Sequence, residues 1–360
     1  MLDLSASQLS VTSEALSECL CFTKLKVGGS VTLKQYKVKD SANARDATSK
    51  ALYGKLFDWL IERINDVLGG AKVKSENKKE TLRMIGVLDI FGFESFETNS
   101  FEQLCINYCN EKLQFHFNEH IFRLEQQEYE SEGIDVSAIA FSDNKPTLEL
   151  LEHKKTGIFA MIDEEINVPK GSDLGFLSKV IKQHASHSNF GKPKPKDLDS
   201  DKVFIVYHYA GKVNYNVTNF LEKNKDALHE DITEVVANSS SSFIAGLMKR
   251  AAADPTGKGK KKQPTLGTQF KKSLNMLMDT LNACAPHFVR CMKPNHQKKG
   301  GIFESPMMLS QLRYAGLLEV CRIRQIGYPV RKNFGDFLFR YRCLASRPVK
   351  DHKDLLDVSS

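Results

Sequence analysis

Between Asp46 and Val67 the residues Ala47, Ala51, Leu52, Leu56, Trp59, Leu60, Ile64 and Val67 recur at the 3.6-residue period of a helix. The spacing predicts an amphipathic helix, closed by Gly69 and Gly70. After a lysine-rich stretch, the apolar run Met84 to Ile90 is β-favouring and predicts a buried strand. From Ser95 to Glu132 there is neither glycine nor proline. A helix from Phe101 to Glu130 would span roughly 45 Å at about 1.5 Å per residue. Its apolar positions form two stripes, Phe101, Leu104, Tyr108, Phe115 and Phe122 against Ile106, Cys109, Leu113, Phe117 and Leu124. Two stripes predict burial over much of its circumference.

Beyond Gly133 the pattern predicts shorter helices, then a strand, glycine turn and strand in VFIVYHYAGKVNYNV. QFKKSLNMLMDTLNAC is predicted helical, and PHFVRCMKP a short strand bounded by prolines. SPMMLSQLRYAGLLEVCRIRQ is predicted to be one helix starting after Ser305, with Pro306 in its first position. GYPVRKNFGDFLFRYRCLA opens a further small unit, and no internal repeat is present. The fold class expected is mixed α/β, predominantly helical.

Composition changes this picture little. The 360 residues are 41% hydrophobic and 9% aromatic, enough for folded cores. No run of apolar residues is long enough to span a bilayer and no signal-peptide pattern opens the chain, so the reading is soluble and cytoplasmic, with no membrane segment. The eight cysteines form no C-x-x-C pair and point to reduced thiols. Cys105 and Cys109 stand one helical turn apart but lack a third metal ligand. The net charge of +7 is the one argument for a nucleic-acid partner, and the reading is that there is none. Its densest part, Lys258, Lys260, Lys261 and Lys262, lies among Gly, Pro and Ala and reads as a flexible basic loop.

The segment richest in chemistry is Leu88-Asp89-Ile90-Phe91-Gly92-Phe93-Glu94. An acid at the carboxyl end of a strand can hold Mg²⁺ or its water, and a glycine there lets a backbone N–H approach a phosphate. Alone, D-x-x-G is weak evidence, and an ordinary strand-to-turn junction accounts for it better. The longer string is more specific: DIFGFE followed by NSFEQLCINYCNEKLQFHFNEHIFRLEQQEY resembles the switch II and relay helix of the myosin motor domain. HYAGKVNY, EKNKDAL, PHFVRCMKPN and LRYAGLLEVCRIRQIGYP extend the resemblance, in family order, from about Ala15 to about Leu344.

The resemblance implies a partial myosin motor fold, related to P-loop NTPases, lacking the P-loop half. It implies that Asp89 stands near the Mg²⁺ coordination sphere, that the Gly92 amide contacts the γ-phosphate, and that Glu94 pairs with a switch I arginine and positions the lytic water. ATP and Mg²⁺ are therefore cofactors expected in an intact motor only. The sequence holds no G-x-x-x-x-G-K-[ST] and no N-x-x-S-S-R-F-G, so this chain alone is expected not to hydrolyse ATP. Two functions are open: the C-terminal part of an actin-based motor head, or a truncated actin-binding module without ATPase activity.

Lys155 to Phe190 resembles the family's actin-binding helix-turn-helix, with Ile166, Val168 and Pro169 at its tip, although the same residues could be ordinary hairpin core. Lys192, Lys194 and Lys196 belong to a further surface loop, and the lysines at 258 to 262 sit where the family places its second actin-facing loop. Calmodulin-like light chains are expected only beyond the C-terminus. The family's two reactive-thiol positions are here Tyr314 and Arg324, which favours an unconventional-type heavy chain, and Cys321 reads as packing. Ser30 lies sixteen positions before Asp46, the TEDS-rule spacing at which family members carry an acid or a phosphorylatable residue. A turn serine after Gly28 and Gly29 is the other reading. The resemblance divides the chain into 1–80, an upper-cleft remnant; 81–142, switch II strand and relay; 143–250, lower actin-binding subdomain; 251–268, basic loop; 269–326, central-sheet strand and thiol-type helix; and 327–360, start of the converter.

Overall fold

A computed structural model describes residues 1–27, 30–68, 85–133, 144–195, 199–225, 230–252, 264–326 and 330–344. The chain forms two units, Met1–Ile90 with Asn219–Lys271, and Phe91–Thr218 with Lys272–Ser360. In chain order it begins with helices α1 (Leu2–Leu9) and α2 (Ser13–Cys21), strands β1 (Phe22–Val27) and β2 (Ser30–Gln35), and helix α3 (Val38–Val67). Helices α4 (Phe101–Ser131), α5 (Lys145–Glu152), α6 (Ile158–Asn167) and α7 (Asp173–His184) come next. Strands β3 (Phe190–Gly191), β4 (Val203–His208) and β5 (Gly211–Asn216) then precede α8 (Phe220–Lys225), α9 (Glu230–Ala237), α10 (Ser242–Ala252) and α11 (Leu266–Asn282). Helices α12 (Ser305–Tyr314), α13 (Leu317–Ile326) and α14 (Phe334–Tyr341) complete the described elements.

In the first unit, Thr12 caps α2 by accepting the Ala15 N–H at 3.2 Å, and β1 and β2 form an antiparallel hairpin. The core is small: Ala6, Leu16, Cys19 and Ala44 pack with Ile232, Val236 and Met248. Helix α3 begins ahead of Asp46 and ends at Val67 with Leu68 as its cap; Gly69 and Gly70 lie outside the described residues. Its predicted apolar face is covered only in part. Ala44 and Thr48 are buried and Trp59 meets Phe243 edge-on at 5.0 Å, but Leu56, Leu60, Ile64 and Val67 are exposed.

The second unit is organised by α4, which runs unbroken as the absence of glycine and proline predicts. Ser100 and Gln103 form a capping box at its start. The antiparallel sheet has the order β3-β4-β5, with Phe204 opposite Tyr215 and Val206 opposite Val213. β4 is buried on both faces except at Tyr207, whereas β5 alternates, burying Val213 and Tyr215. Leu148, Leu150 and Leu151 of α5, Ile158, Phe159 and Ile162 of α6, and Phe176, Leu177 and Val180 of α7 supply the remaining core. That pattern is the period-2 and period-3.6 burial expected of a sheet covered by helices.

Three expectations need correction. Ile85 to Ile90 is not a strand: residues 85–96 carry no strand pairing, and Ile85 and Val87 are more than nine-tenths exposed. A β-favouring run becomes a strand only when a neighbour takes its backbone hydrogen bonds, and none among the described residues does. Residues 285–293 are likewise unpaired and are held by side chains instead. Gln311 accepts the Lys293 N–H and donates to its carbonyl, both at 2.8 Å, and Phe288 packs on Phe117 with ring centroids 4.7 Å apart. The predicted single helix after Ser305 is two, α12 and α13, broken at Ala315 and Gly316.

Gly316 has φ +68°, and a Cβ there would lie 2.2 Å from the amide atoms of Gln114. Gln114 is buried and donates to Asn118 Oδ1 at 2.8 Å, so it has little room to yield. Gly316→Ala is expected to lower unfolding stability by about 2 kcal/mol, from left-handed backbone strain and the disturbed hydrogen bond. A denaturant midpoint equal to that of the parent chain would refute the assignment of this break to steric need.

Candidate functional site

The residues after Gly92 are fastened to α4 by side-chain amides. The Glu94 N–H donates to Asn107 Oδ1 at 2.8 Å, and Asn107 Nδ2 donates back to the Glu94 carbonyl at 2.7 Å. Gln103 Nε2 donates to Glu94 Oε2 at 3.3 Å, and Asn110 Nδ2 donates to the Phe91 carbonyl at 3.1 Å. Residues 103, 107 and 110 share one face of a helix, so three successive turns grip one short segment. Phe93 adds an aromatic contact, with His208, Tyr209 and Tyr314 at ring-centroid distances of 5.3, 5.7 and 5.3 Å.

The same polar stripe continues down α4 and is buried: Asn107, Glu111, Gln114 and Asn118 are each at most 3% exposed. Asn107 Nδ2 donates to Tyr215 Oη at 2.9 Å, Tyr215 Oη bonds His208 Nε2 at 2.8 Å, and His208 Nδ1 bonds Glu111 Oε1 at 2.9 Å. The Tyr209 N–H reaches the same oxygen at 3.0 Å, and Asn144 Nδ2 donates to the other and to the Glu111 carbonyl. Burial, with the Glu111 charge adding to it, pushes the Tyr215 hydroxyl well above the usual phenol range, although Asn107 opposes the rise. The tyrosine therefore serves as an uncharged relay of hydrogen bonds. Further along, Gln114 faces Gly316, Arg290 stacks on Phe117 at 4.6 Å, and Arg331 pairs with Glu125 and Glu128 and bonds Tyr129 Oη at 3.1 Å. One helix thus contacts residues 91–94, the β4–β5 hairpin, the α12–α13 break and Arg331.

The predicted site residues fall as follows. Asp89 is exposed in the unpaired segment, a Cβ at Gly92 would meet nothing, and Glu94 is half-buried under Gln103. Ile166 and Val168 are half-buried and Pro169 is exposed, at the turn between α6 and α7. Ser30 is exposed at the first position of β2, opposite Val27. Lys192 and Lys194 fall on the loop after β3, both exposed, whereas Lys196, Lys258, Lys260, Lys261 and Lys262 lie outside the described residues. Pattern reading did not single out Gln103, Asn107, Asn110, Glu111 and Gln114. Their signal was available as a polar stripe at helical spacing between two apolar ones. Leu174, half-exposed at the start of α7, was missed too.

Tyr314 ends α12, where its carbonyl accepts the Tyr209 hydroxyl at 2.8 Å; Arg324 lies in α13. Cys321 is exposed, so it does not serve as packing. Among the described residues no group of three His, Cys, Asp or Glu could hold a metal, and no helix is long and apolar enough to cross a membrane.

Known proteins match this chain over nearly all of its length. A family model for the myosin head (motor domain) matches residues 1–358. The chain is 42% identical over 356 residues to the myosin-I heavy chain of Dictyostelium discoideum, covering 98% of this chain and 15% of that protein. It is 40% identical to myosin-7 of Arabidopsis thaliana, with 99% and 20% covered, and 41% identical to myosin-VIIa of Drosophila melanogaster, with 94% and 15% covered. The chain belongs to the myosin motor-domain family. It spans a fifth or less of the length of these relatives.

Burial sorts the thiols. It pushes Cys105 up to about 12, with Glu102 adding to the rise, and Cys109 up to about 11. Both stay protonated at neutral pH and so are poor nucleophiles. Cys284, Cys291, Cys321 and Cys343 are exposed. Brief iodoacetamide treatment of the folded chain at about pH 7.5 should label these four while sparing Cys105 and Cys109, as read by peptide mass spectrometry. Early labelling of Cys105 would contradict the described packing of α4.

Proposed function

We propose that this chain is the actin-facing and force-transmitting portion of a myosin motor head, which in an intact head couples ATP hydrolysis to movement on actin filaments. The observation that carries the reading is the polar seam of α4. It ties residues 91–94, which resemble the nucleotide-sensing loop, to the β4–β5 hairpin through buried hydrogen bonds, and Gln114 on the same stripe packs against the break at Gly316. Buried hydrogen bonds are costly to break, so a shift of residues 91–94 is borne by the helix and not absorbed locally.

The described residues do not themselves fit a nucleotide with Mg²⁺. Asp89 faces solvent, no cluster of metal-binding groups surrounds it, and the sequence offers no P-loop lysine. In an intact head Asp89 would stand in the second shell of Mg²⁺, Gly92 would offer its amide to the phosphate and Glu94 would orient water. The chain by itself is then an actin-binding module. Its apolar contact is Ile166, Val168 and Pro169, with Leu174 beside them, and its charged contact is the 258–262 lysine loop. Light chains would bind beyond residue 360, and the place of work is the cytoplasmic actin cytoskeleton.

The full chain should co-sediment with actin filaments whether or not ATP is present. Replacing Lys258, Lys260, Lys261 and Lys262 with Gln should weaken binding mainly at low salt, because at about 0.1 M charges are screened over about 10 Å. An unchanged salt dependence would make the loop a mere linker, and ATP-driven release would show that the chain binds nucleotide.

Ser30 is proposed as a regulatory phosphorylation site. It is exposed on a hairpin whose β1 strand carries Lys24, and a phosphate would add about −1.5 to −2 charges. In an intact head built on this sequence, Ser30→Glu should give a higher actin-activated ATPase rate than Ser30→Ala, with equal basal rates. Identical activated rates would remove the switch.

A further inference from the structure

The turn between α6 and α7 is built around a buried charge. Glu165, in the last turn of α6, is only 4% exposed, and a carboxylate there faces the unfavourable end of its own helix dipole. It is compensated from the next helix. The Ser172 N–H donates to Glu165 Oε1 at 3.1 Å, and Lys179 Nζ lies 2.7 Å from Oε2. Ser172 also caps α7, its Oγ accepting the Gly175 N–H at 3.0 Å, so the carboxylate reads the positive end of that helix. Burial pushes the Glu165 pKa up, but Lys179 and the Ser172 N–H outweigh it, and the carboxyl sits below its usual range. It is therefore charged at neutral pH.

The backbone around it is shaped to fit. The Val168 N–H donates to the Glu165 carbonyl at 3.2 Å, the Gly171 N–H to the Val168 carbonyl at 2.9 Å, and Lys170 adopts φ +60°. A Cβ on Gly171 would lie 2.2 Å from the Glu165 carbonyl oxygen, and one on Gly175 2.7 Å from Glu165 Oε1. Both positions need glycine because Glu165 occupies the space. What this turn presents outward is Pro169, the half-buried Val168 and, just beyond, Leu174.

We infer that Glu165 is the positioning residue of the filament-facing tip: without contacting the partner, its carboxylate locks residues 168–172 into the shape that offers Val168, Pro169 and Leu174 to an apolar surface. The inference rests on the proposed actin binding for its partner. The locking of the turn stands independently. A bound surface selects one turn geometry, and a loosened turn pays the ordering cost at binding.

The test uses the full chain, with Glu165→Gln, which keeps shape and removes charge, and Lys179→Met, which removes the partner from a half-exposed position. Amide hydrogen exchange at Gly171 and Ser172 should accelerate in both variants, while the thermal midpoint of the chain moves little. Actin affinity should fall about tenfold, the equivalent of one charge-assisted hydrogen bond. If parent and variants exchange alike at these amides, Glu165 does not lock the turn and the inference fails. If exchange accelerates but actin affinity is unchanged, the turn's shape is irrelevant to binding and the inference fails as well. Should the parent chain not bind actin at all, the proposed function falls, while the exchange measurement still decides the locking. A Glu165→Gln chain that does not fold leaves the decision to Lys179→Met, read in the same two ways.

Discussion

The side chain of Glu111 is fully buried at the middle of α4, and an ionisable group without water must have its oxygens met by donors or be very costly to hold. This requirement orders the second unit. Oε1 takes His208 and the Tyr209 N–H, which fixes where the β4–β5 turn meets the helix; Oε2 takes Asn144, which fixes the approach to α5. With the His208 Nδ1–H given to Glu111, Nε2 accepts the Tyr215 hydroxyl, and that oxygen in turn accepts Asn107 Nδ2. The donor order runs one way from the amide that clasps Glu94 to the carboxylate. Shifting α4 by one residue would take Asn107 and Glu111 away from their partners on the hairpin. Register, sheet position and the grip on residues 91–94 are thus consequences of one satisfaction problem.

What lies along the rest of α4 follows the same geometry. A helix contacts different partners on successive turns, and here those turns meet the 91–94 segment, the sheet, Gly316, the 285–293 segment and Arg331. The first contacts are buried and amide-mediated, while the last are ionic, joining the one-third-exposed Arg331 to the buried Glu125 and the exposed Glu128. Exposed ion pairs are weak and easily exchanged, and buried hydrogen-bonded seams are not.

Much of this architecture is legible in the sequence alone. The unbroken α4 follows from the absence of glycine and proline, and the β4–β5 hairpin from alternation with Gly211 at the turn. Long, strongly periodic elements carry their own signal because local propensity and burial agree. The runs Met84 to Ile90 and 285–293 mislead for the opposite reason: their strand character depends on partners that a local reading cannot see, and among the described residues no partner strand is there. The break at Gly316 is hidden inside a helical pattern, since its cause is Gln114, far off along the chain. The polar seam is visible as letters but not as a site. Asn107, Glu111 and Gln114 on a helix are ordinarily a solvated face, and only the sheet packed against them makes them buried.

Glu111 and Glu165 solve the same problem at different scales. Each is a carboxylate in a helix, withdrawn from water and answered by donors on the element that follows in space, and each makes the position of that element a condition of its own solvation. A hydrophobic contact tolerates sliding, because its energy depends on area and not on direction. A buried carboxylate does not, because its donors must lie within hydrogen-bond distance and near alignment. Such groups add little net stability compared with apolar packing of equal volume. What they contribute is definition, and in this chain definition is placed where a loop meets the long helix and where an apolar turn faces outward.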